Sequence, residues 1–122
     1  MINLPIYRAF SETFDKYILG VPYFSDGRYY MLVDDCNKNN NIGSGSYPID
    51  ETTLSIHFPD MLDSQGNKIF ASLQEDGKGG DIMQDDEYFG IAKYKDCQFV
   101  VEYEDCIDNI DNGNFEVIGI QQ

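Results

Sequence analysis

Short apolar and aromatic segments, separated by turn-forming residues, constrain the fold of this chain more than any other feature. They occupy residues 28–33, 54–58, 90–94, 98–103 and 115–120. Alternating segments of five or six residues are typical of strands. Asp26-Gly27, between two aromatic runs, predicts a hairpin. We therefore predict a mainly β (α+β) fold, with a small curled sheet or β-barrel in the C-terminal part.

The length of 122 residues fits a single domain with its own core. We expect an N-terminal subregion over residues 1–35 and a barrel-like region over residues 52–122. Between them, residues 37–46 are rich in Asn and Gly, which predicts a mobile loop. A second flexible loop is expected at residues 75–80, where three glycines lie within four residues.

Residues 11–19 allow two interpretations, a short helix or a hairpin. Helical spacing would place four apolar residues on one face: Phe10, Phe14, Tyr17 and Ile18. Ser11 would then cap the helix and Gly20 would end it. The pattern alone does not decide between the two.

The charge excludes some partners. The formal net charge is −14, and residues 81–122, with eleven acids and two bases, contribute −9 of it. Such a surface repels nucleic-acid phosphates and anionic lipids, so we expect neither direct nucleic-acid binding nor membrane binding. It attracts cationic partners or divalent ions, and it also keeps a protein in solution.

The cysteines and the N-terminus indicate a reducing compartment. Cys36, Cys97 and Cys106 are odd in number and lack metal-ligand spacing, so we expect small buried side chains rather than disulfides or a zinc site. The first residues lack the pattern of a signal peptide, and no apolar run is long enough to span a membrane. The expected location is cytoplasmic.

His57 is the only imidazole, and strand alternation predicts that it is half-exposed, opposite Leu54, Ile56 and Phe58. No nucleophile motif accompanies it. We therefore expect no catalytic residue. A hydrolase built on His57 and one of the acids is the minor alternative.

The acidic segments do not make a metal site. Residues 108–113 resemble the start of an EF-hand loop, but Ile110 and Gly119 stand where oxygen ligands are required. Adjacent acids at 34–35, 85–87 and 104–105 point to opposite faces of a strand. Residues 78–81 lack the spacing of a phosphate-binding loop. We expect no metal and no cofactor.

Five segments occur in an order that resembles the YopX family of phage and prophage proteins. They are residues 7–10, 63–70, 80–83, 90–94 and 115–119. The chain departs from that pattern in an insertion over residues 71–78 and in Gly79, which replaces a Glu. The resemblance implies a Src-homology-3-like barrel beside an N-terminal part, and an accessory role in a mobile element. It implies no catalytic residue.

Within these segments, we expect Gly66 and Gly80 to adopt positive φ. Asp81 is expected to tie the turn before it through its side chain. In the last strand, Phe115 and Val117 would face one side and Ile118 the other.

The preferred functional hypothesis is a non-enzymatic phage or prophage accessory protein that binds a protein partner. Seventeen aromatic residues, nine of them Tyr, also fit a homo-oligomer, because aromatic side chains are favoured at interfaces. The alternative is an acidic nucleic-acid mimic that inhibits a host DNA-binding enzyme.

Overall fold

The computed structural model describes residues 5–34, 42–85, 89–96, 98–103, 107–109 and 115–122. This part of the chain contains eleven strands and no helix. The strands are β1 (Ile6–Ser11), β2 (Lys16–Ser25), β3 (Arg28–Val33), β4 (Gly45–Pro48), β5 (Asp50–His57), β6 (Ala71–Ser72), β7 (Asp81–Gln84), β8 (Phe89–Lys95), β9 (Gln98–Glu102), β10 (Ile107–Asn109) and β11 (Glu116–Ile120). The predicted mainly β fold is confirmed.

All eleven strands belong to one curled sheet. Its main path runs β10-β9-β8-β6-β5-β1-β2-β3-β4. Two strands pair with the same edge of β8. Strand β7 pairs with its first half, and β6 pairs with it in parallel at Lys93. Strand β11 extends the sheet from β7. The extra branch at β8 curls the C-terminal part into a half-barrel.

The first two strands form a hairpin, so the helix considered for residues 11–19 is wrong and the hairpin alternative is confirmed. Phe10 lies directly opposite Tyr17 across the two strands, with ring centroids 5.4 Å apart. Strand pairing therefore accounts for a seven-residue spacing that also fits two helical turns. Ser11 Oγ does accept a backbone hydrogen bond, from Phe14 N at 3.4 Å, but within a turn.

The hairpin predicted at Asp26-Gly27 is confirmed. Both residues have positive φ, 52° and 78°, and Ser25 pairs with Arg28 on either side of them. This two-residue turn matches the twist of the strands that it joins. Strand β4 then begins at Gly45, inside the loop expected over residues 37–46, of which residues 37–41 lie outside the described part of the chain. The predicted subregion boundaries stay predictions.

Two apolar clusters fill the two halves of the sheet. The first comprises Ala9, Ile18, Met31, Val33, Ile42 and Ile49. The second comprises Ile69, Ala71, Met83, Ala92, Val101 and Phe115. Val117 packs against the second cluster whereas Ile118 is 52% exposed, as alternation predicts for the last strand.

The turns and loops follow the predictions in part. Gly66 has the expected positive φ of 82°, but in the next loop Gly77 and Gly79 have positive φ, and Gly80 does not. Gly80 is required for another reason, since a Cβ there would lie 2.5 Å from the Ala92 carbonyl oxygen. The loop at residues 75–80, expected to be flexible, is fastened, for example by Gly79 N donating to Gln121 O at 2.8 Å. Residues 107–109 form a strand, which overlaps the start of the segment that resembles an EF-hand loop.

Candidate functional site

A row of polar side chains is buried on one face of the sheet. Arg8, Ser55, Ser72 and Lys93 are neighbours across β1, β5, β6 and β8. Each is less than 9% exposed. We call these four residues the buried polar row. Buried polar groups require hydrogen-bond partners, and three of these residues find them in one loop, residues 74–81.

The loop supplies backbone carbonyls to the row. Arg8 Nη2 donates to Gly79 O at 2.8 Å, Ser72 Oγ donates to Lys78 O at 2.8 Å, and Lys93 Nζ donates to Glu75 O. Lys93 Nζ also lies 2.9 Å from Glu102 Oε1. This loop thus covers the polar row and supplies an acceptor to three of its four side chains.

Asp81 holds Arg8 from the end of the same loop. Its Oδ1 lies 2.8 Å from Arg8 Nη2, and its Oδ2 accepts a hydrogen bond from Phe70 N at 2.8 Å. The side chain therefore ties β7 to β1 and to the Phe70 segment, rather than closing its own turn as expected. Burial raises the pKa of Asp81, although the Arg8 charge and the Phe70 N–H act in the opposite direction.

The Arg8 guanidinium is also packed between aromatic rings. Its central carbon lies 4.4 Å from the Phe70 ring centroid and 5.5 Å from that of Tyr17. Its Nε atom is buried without a hydrogen-bond partner. With an ion pair on one side and rings on the others, Arg8 is a structural cation of the interior.

His57 is 2% exposed, so the prediction of a half-exposed residue is wrong. Its Nδ1 lies 2.9 Å from Ile69 O, and its ring contacts Phe70 at 5.4 Å. Burial lowers the pKa of His57, which keeps the ring neutral near neutral pH. Alternation along β5 misled the prediction because both faces of the strand are covered towards its His57 end.

Asp63 organises the turn formed by residues 63–67. Its carboxylate accepts hydrogen bonds from Gln65 N, from the backbone and side chain of Asn67, and from Val117 N. Burial alone would raise the pKa of Asp63, but these hydrogen bonds outweigh it and lower the pKa. This carboxylate fastens the last strand to the middle of the chain.

The remaining chemical candidates do not assemble a site. Lys78 Nζ lies 3.9 Å from Asp50 Oδ2, so residues 78–81 present an ion pair rather than a phosphate cradle. Among the described residues, no group of three or more His, Cys, Asp or Glu could hold a metal ion.

Several candidate residues lie outside the described part of the chain. They are Cys36, Cys97, Cys106, residues 110–113 and most of the adjacent acids, of which Asp34 and Asp85 are described. The described residues include no helix long and apolar enough to cross a bilayer.

The β2–β3 hairpin carries apolar side chains on its outward face. Val21 pairs with Leu32 and Tyr23 pairs with Tyr30, so all four point to the same side. Val21 is 57% exposed and Leu32 is 52% exposed, and the two Tyr rings stack with centroids 5.6 Å apart. We call the outward side of β2, β3 and β4, with these four residues at its centre, the hairpin face.

Charged residues are nearly absent from this face. The outward positions of β2, β3 and β4 are Tyr17, Leu19, Val21, Tyr23, Ser25, Arg28, Tyr30, Leu32, Ser46 and Pro48. Only Arg28, at the tip, is charged. In a chain of net charge −14 with 25% charged residues, this is a marked exception. The largest exposed apolar patch of a monomer is often functional, which makes this face the candidate site.

The tip of the hairpin is apolar on its other side as well. Phe24 is 60% exposed and Tyr29 is 37% exposed, and their rings meet edge to face at 5.0 Å. The aromatic runs of the sequence indicated a hairpin, but not which of its faces stays uncovered. The available signal was the scarcity of charge, since residues 16–33 contain only Lys16, Asp26 and Arg28.

Comparison with known proteins gives no assignment, since no family model, no curated protein and no solved structure matches this chain.

Proposed function

We propose that this chain is a non-enzymatic module that acts by binding a protein through the hairpin face. The observation that carries the proposal is the exposure of Val21 and Leu32, each more than half open, within a nearly uncharged face of a strongly acidic chain. Leaving such side chains in water forgoes about 25 cal/mol for each Å² that could be buried. A partner that covers them recovers this free energy.

The environment of His57 supports the non-enzymatic part of the proposal. The imidazole is buried, and its Nδ1 faces a backbone carbonyl. A general base has to reach the proton that it abstracts. A buried neutral ring in contact with Phe70 instead contributes to packing.

The resemblance to the YopX family extends the proposal to biology. We propose an accessory protein of phage or prophage origin that acts in the cytoplasm without a cofactor. The support is the order of the five resembling segments.

Site-specific photocrosslinking in cells tests the proposed contact. A photoreactive phenylalanine analogue at Tyr23 should give a discrete crosslinked species, because this ring lies on the hairpin face. The same analogue at Ile118, which is 52% exposed on β11, is the matched control and should give none. Crosslinks from position 118 alone, or from neither position, would refute the hairpin face as a docking surface.

A second candidate is an acidic mimic of nucleic acid, favoured by the −9 charge of residues 81–122. Contacts between opposite charges weaken as salt shortens the Debye length, from about 10 Å at 0.1 M to about 3 Å at 1 M. A mimic would therefore release its partner steeply as salt rises. A partner anchored on apolar side chains would be retained.

A further inference from the structure

The outward side chains of β3 form a self-complementary row. Arg28 lies at the tip of the hairpin, Tyr30 and Leu32 follow on the same face, and Asp34 continues the alternation just past the end of the strand. Arg28 and Asp34 are both exposed. At about 3.4 Å per residue, some 20 Å separate the two charges. The row thus has a cation at one end, an anion at the other and apolar side chains between them.

Such a row matches an inverted copy of itself. If the β2–β4 parts of two curled sheets stack face to face about a two-fold axis that runs across the strands, each β3 lies antiparallel on the β3 of the other copy. Tyr30 then faces Leu32 of the second copy, and Arg28 faces Asp34 of the second copy. Sheets that pack in this way lie about 10 Å apart with strand directions within about 30° of each other.

The distribution of charge explains why this face would contact the same face of a second copy. Two chains of net charge −14 repel each other, so their contact must avoid setting acid against acid. Residues 16–33 contain two bases and one acid. Face-to-face stacking also fits better than edge pairing, because the outer edge of β4 is only four residues long and ends at Pro48.

We propose that two copies of this chain pack their hairpin faces together as a two-fold dimer, in which Arg28 of each copy pairs with Asp34 of the other. This inference rests on the proposed function, because it names the occupant of the same face. Three strands about 4.8 Å apart and 20 Å long offer about 300 Å² of flat sheet. Standard interfaces bury about 800 Å² on each partner, so the dimer is weak and depends on concentration.

Sedimentation velocity on the purified full chain tests the proposal. We expect the average mass to rise from monomer towards dimer as the concentration approaches about 1 mM, where even a small interface is populated. We also expect association to strengthen with salt, since salt screens the repulsion between the two net charges. A chain that stays monomeric over this range overturns the inference.

Matched variants locate the interface. Leu32→Asp should abolish the mass increase, whereas Ile118→Asp, with the same exposed fraction and the same change in charge, should leave it intact. If both variants dimerise like the wild type, the hairpin face is not the interface. Thermal unfolding of each variant shows that it is folded.

A charge swap tests the pairing itself. Arg28→Asp should weaken dimerisation roughly three- to tenfold, as two exposed ion pairs are lost. Lys95→Asp gives the same net charge at an exposed position off the face, and should weaken it less. Adding Asp34→Arg to Arg28→Asp restores both pairs and the net charge of −14, so dimerisation should recover. No recovery would overturn the two-fold arrangement.

These outcomes are separable from those of the proposed function. A monomeric wild type that still crosslinks from position 23 to a different protein refutes the dimer and leaves the binding module standing. Crosslinking that produces a species of twice the chain mass supports both.

Discussion

The buried polar row and the hairpin face both depart from the usual distribution of side chains. The row buries charged side chains, and the face exposes apolar ones. The row places Arg8 and Lys93 in the interior, where long charged side chains are rare. The hairpin face leaves Val21 and Leu32 in water. Both regions lie on the same side of one sheet, since Tyr17, beside Arg8, belongs to the outward positions of β2.

The difference lies in what covers each region. Residues 74–81 lie over the polar row and supply its hydrogen-bond acceptors, whereas no described segment lies over the hairpin face. The row is thus covered within the chain, where each of its four side chains finds at least one hydrogen-bond partner. The face stays exposed, and under the proposal above a second copy of the chain covers it. We therefore expect changes in the row to alter folding and changes in the face to alter association.

The largest loss of stability is expected from Asp81→Ala, which leaves the Arg8 guanidinium buried without its counter-ion. Breaking a buried pair in this way costs about 3–5 kcal/mol, to be measured by urea unfolding. Glu75→Ala removes an exposed acid from the same loop and should change the free energy of unfolding by less than about 0.5 kcal/mol.

The double variant Arg8→Met/Asp81→Leu sharpens this prediction. Replacing both charges with apolar side chains should cost less than Asp81→Ala alone. If Asp81→Ala, Glu75→Ala and the double variant all have the same free energy of unfolding, the ion pair does not hold the row together.

Gly79→Ala should be the next most damaging change. Gly79 has a φ of 82°, and an added Cβ would collide with the Thr53 backbone carbonyl. We expect a loss of more than about 3 kcal/mol, combining the unfavourable φ with the clash. Gly27 has a nearly equal φ of 78° with no atom within 4 Å of the added Cβ. Gly27→Ala should therefore cost only about 1–2 kcal/mol. Equal losses of stability in Gly79→Ala and Gly27→Ala would mean that the loop does not pack closely against β5.

Asp63 should make stability sensitive to acid. Its pKa in the folded chain lies below the ordinary value of 3.8. The ionised carboxylate therefore stabilises the fold above that value, and this contribution disappears as the pH falls through the lowered pKa. Asp63→Asn should lose about 1–3 kcal/mol at neutral pH.

The difference between wild type and Asp63→Asn should shrink below about pH 4, as followed by urea unfolding across pH. A difference that is constant with pH would show that the hydrogen bonds of Asp63 do not depend on its charge.

Leu32→Asp should have the smallest effect on the fold. A substitution at an exposed position usually changes the free energy of unfolding by less than about 0.5 kcal/mol. Urea unfolding at low protein concentration, where the chain is monomeric, checks this. A loss of several kcal/mol would show that the hairpin face supports the fold of the single chain.

Local patterns in the sequence were sufficient for five of the strands, β3, β5, β8, β9 and β11. Asp26-Gly27 specifies its turn because both residues tolerate positive φ. Local patterns were insufficient at residues 10–17, where the spacing of Phe10 and Tyr17 fits a helix and a cross-strand pair equally.

Long-range contacts were beyond such patterns. Arg8 and Asp81 are separated by 73 positions, and no local signal pairs them. His57 was misjudged for a related reason, because the side of β5 that alternation left open is covered by the segment around Ile69 and Phe70. Alternation likewise shows that Val21 and Tyr23 share a face, but not that the chain leaves this face open.

The most direct test of the account is the thermal midpoint of unfolding measured over a hundredfold range of protein concentration. For the wild type, association of folded chains should raise the midpoint as concentration increases. For Leu32→Asp, the midpoint should stay constant and equal that of the wild type at the lowest concentration. A wild-type midpoint that does not change with concentration would contradict the claim that the hairpin face is completed by a second copy.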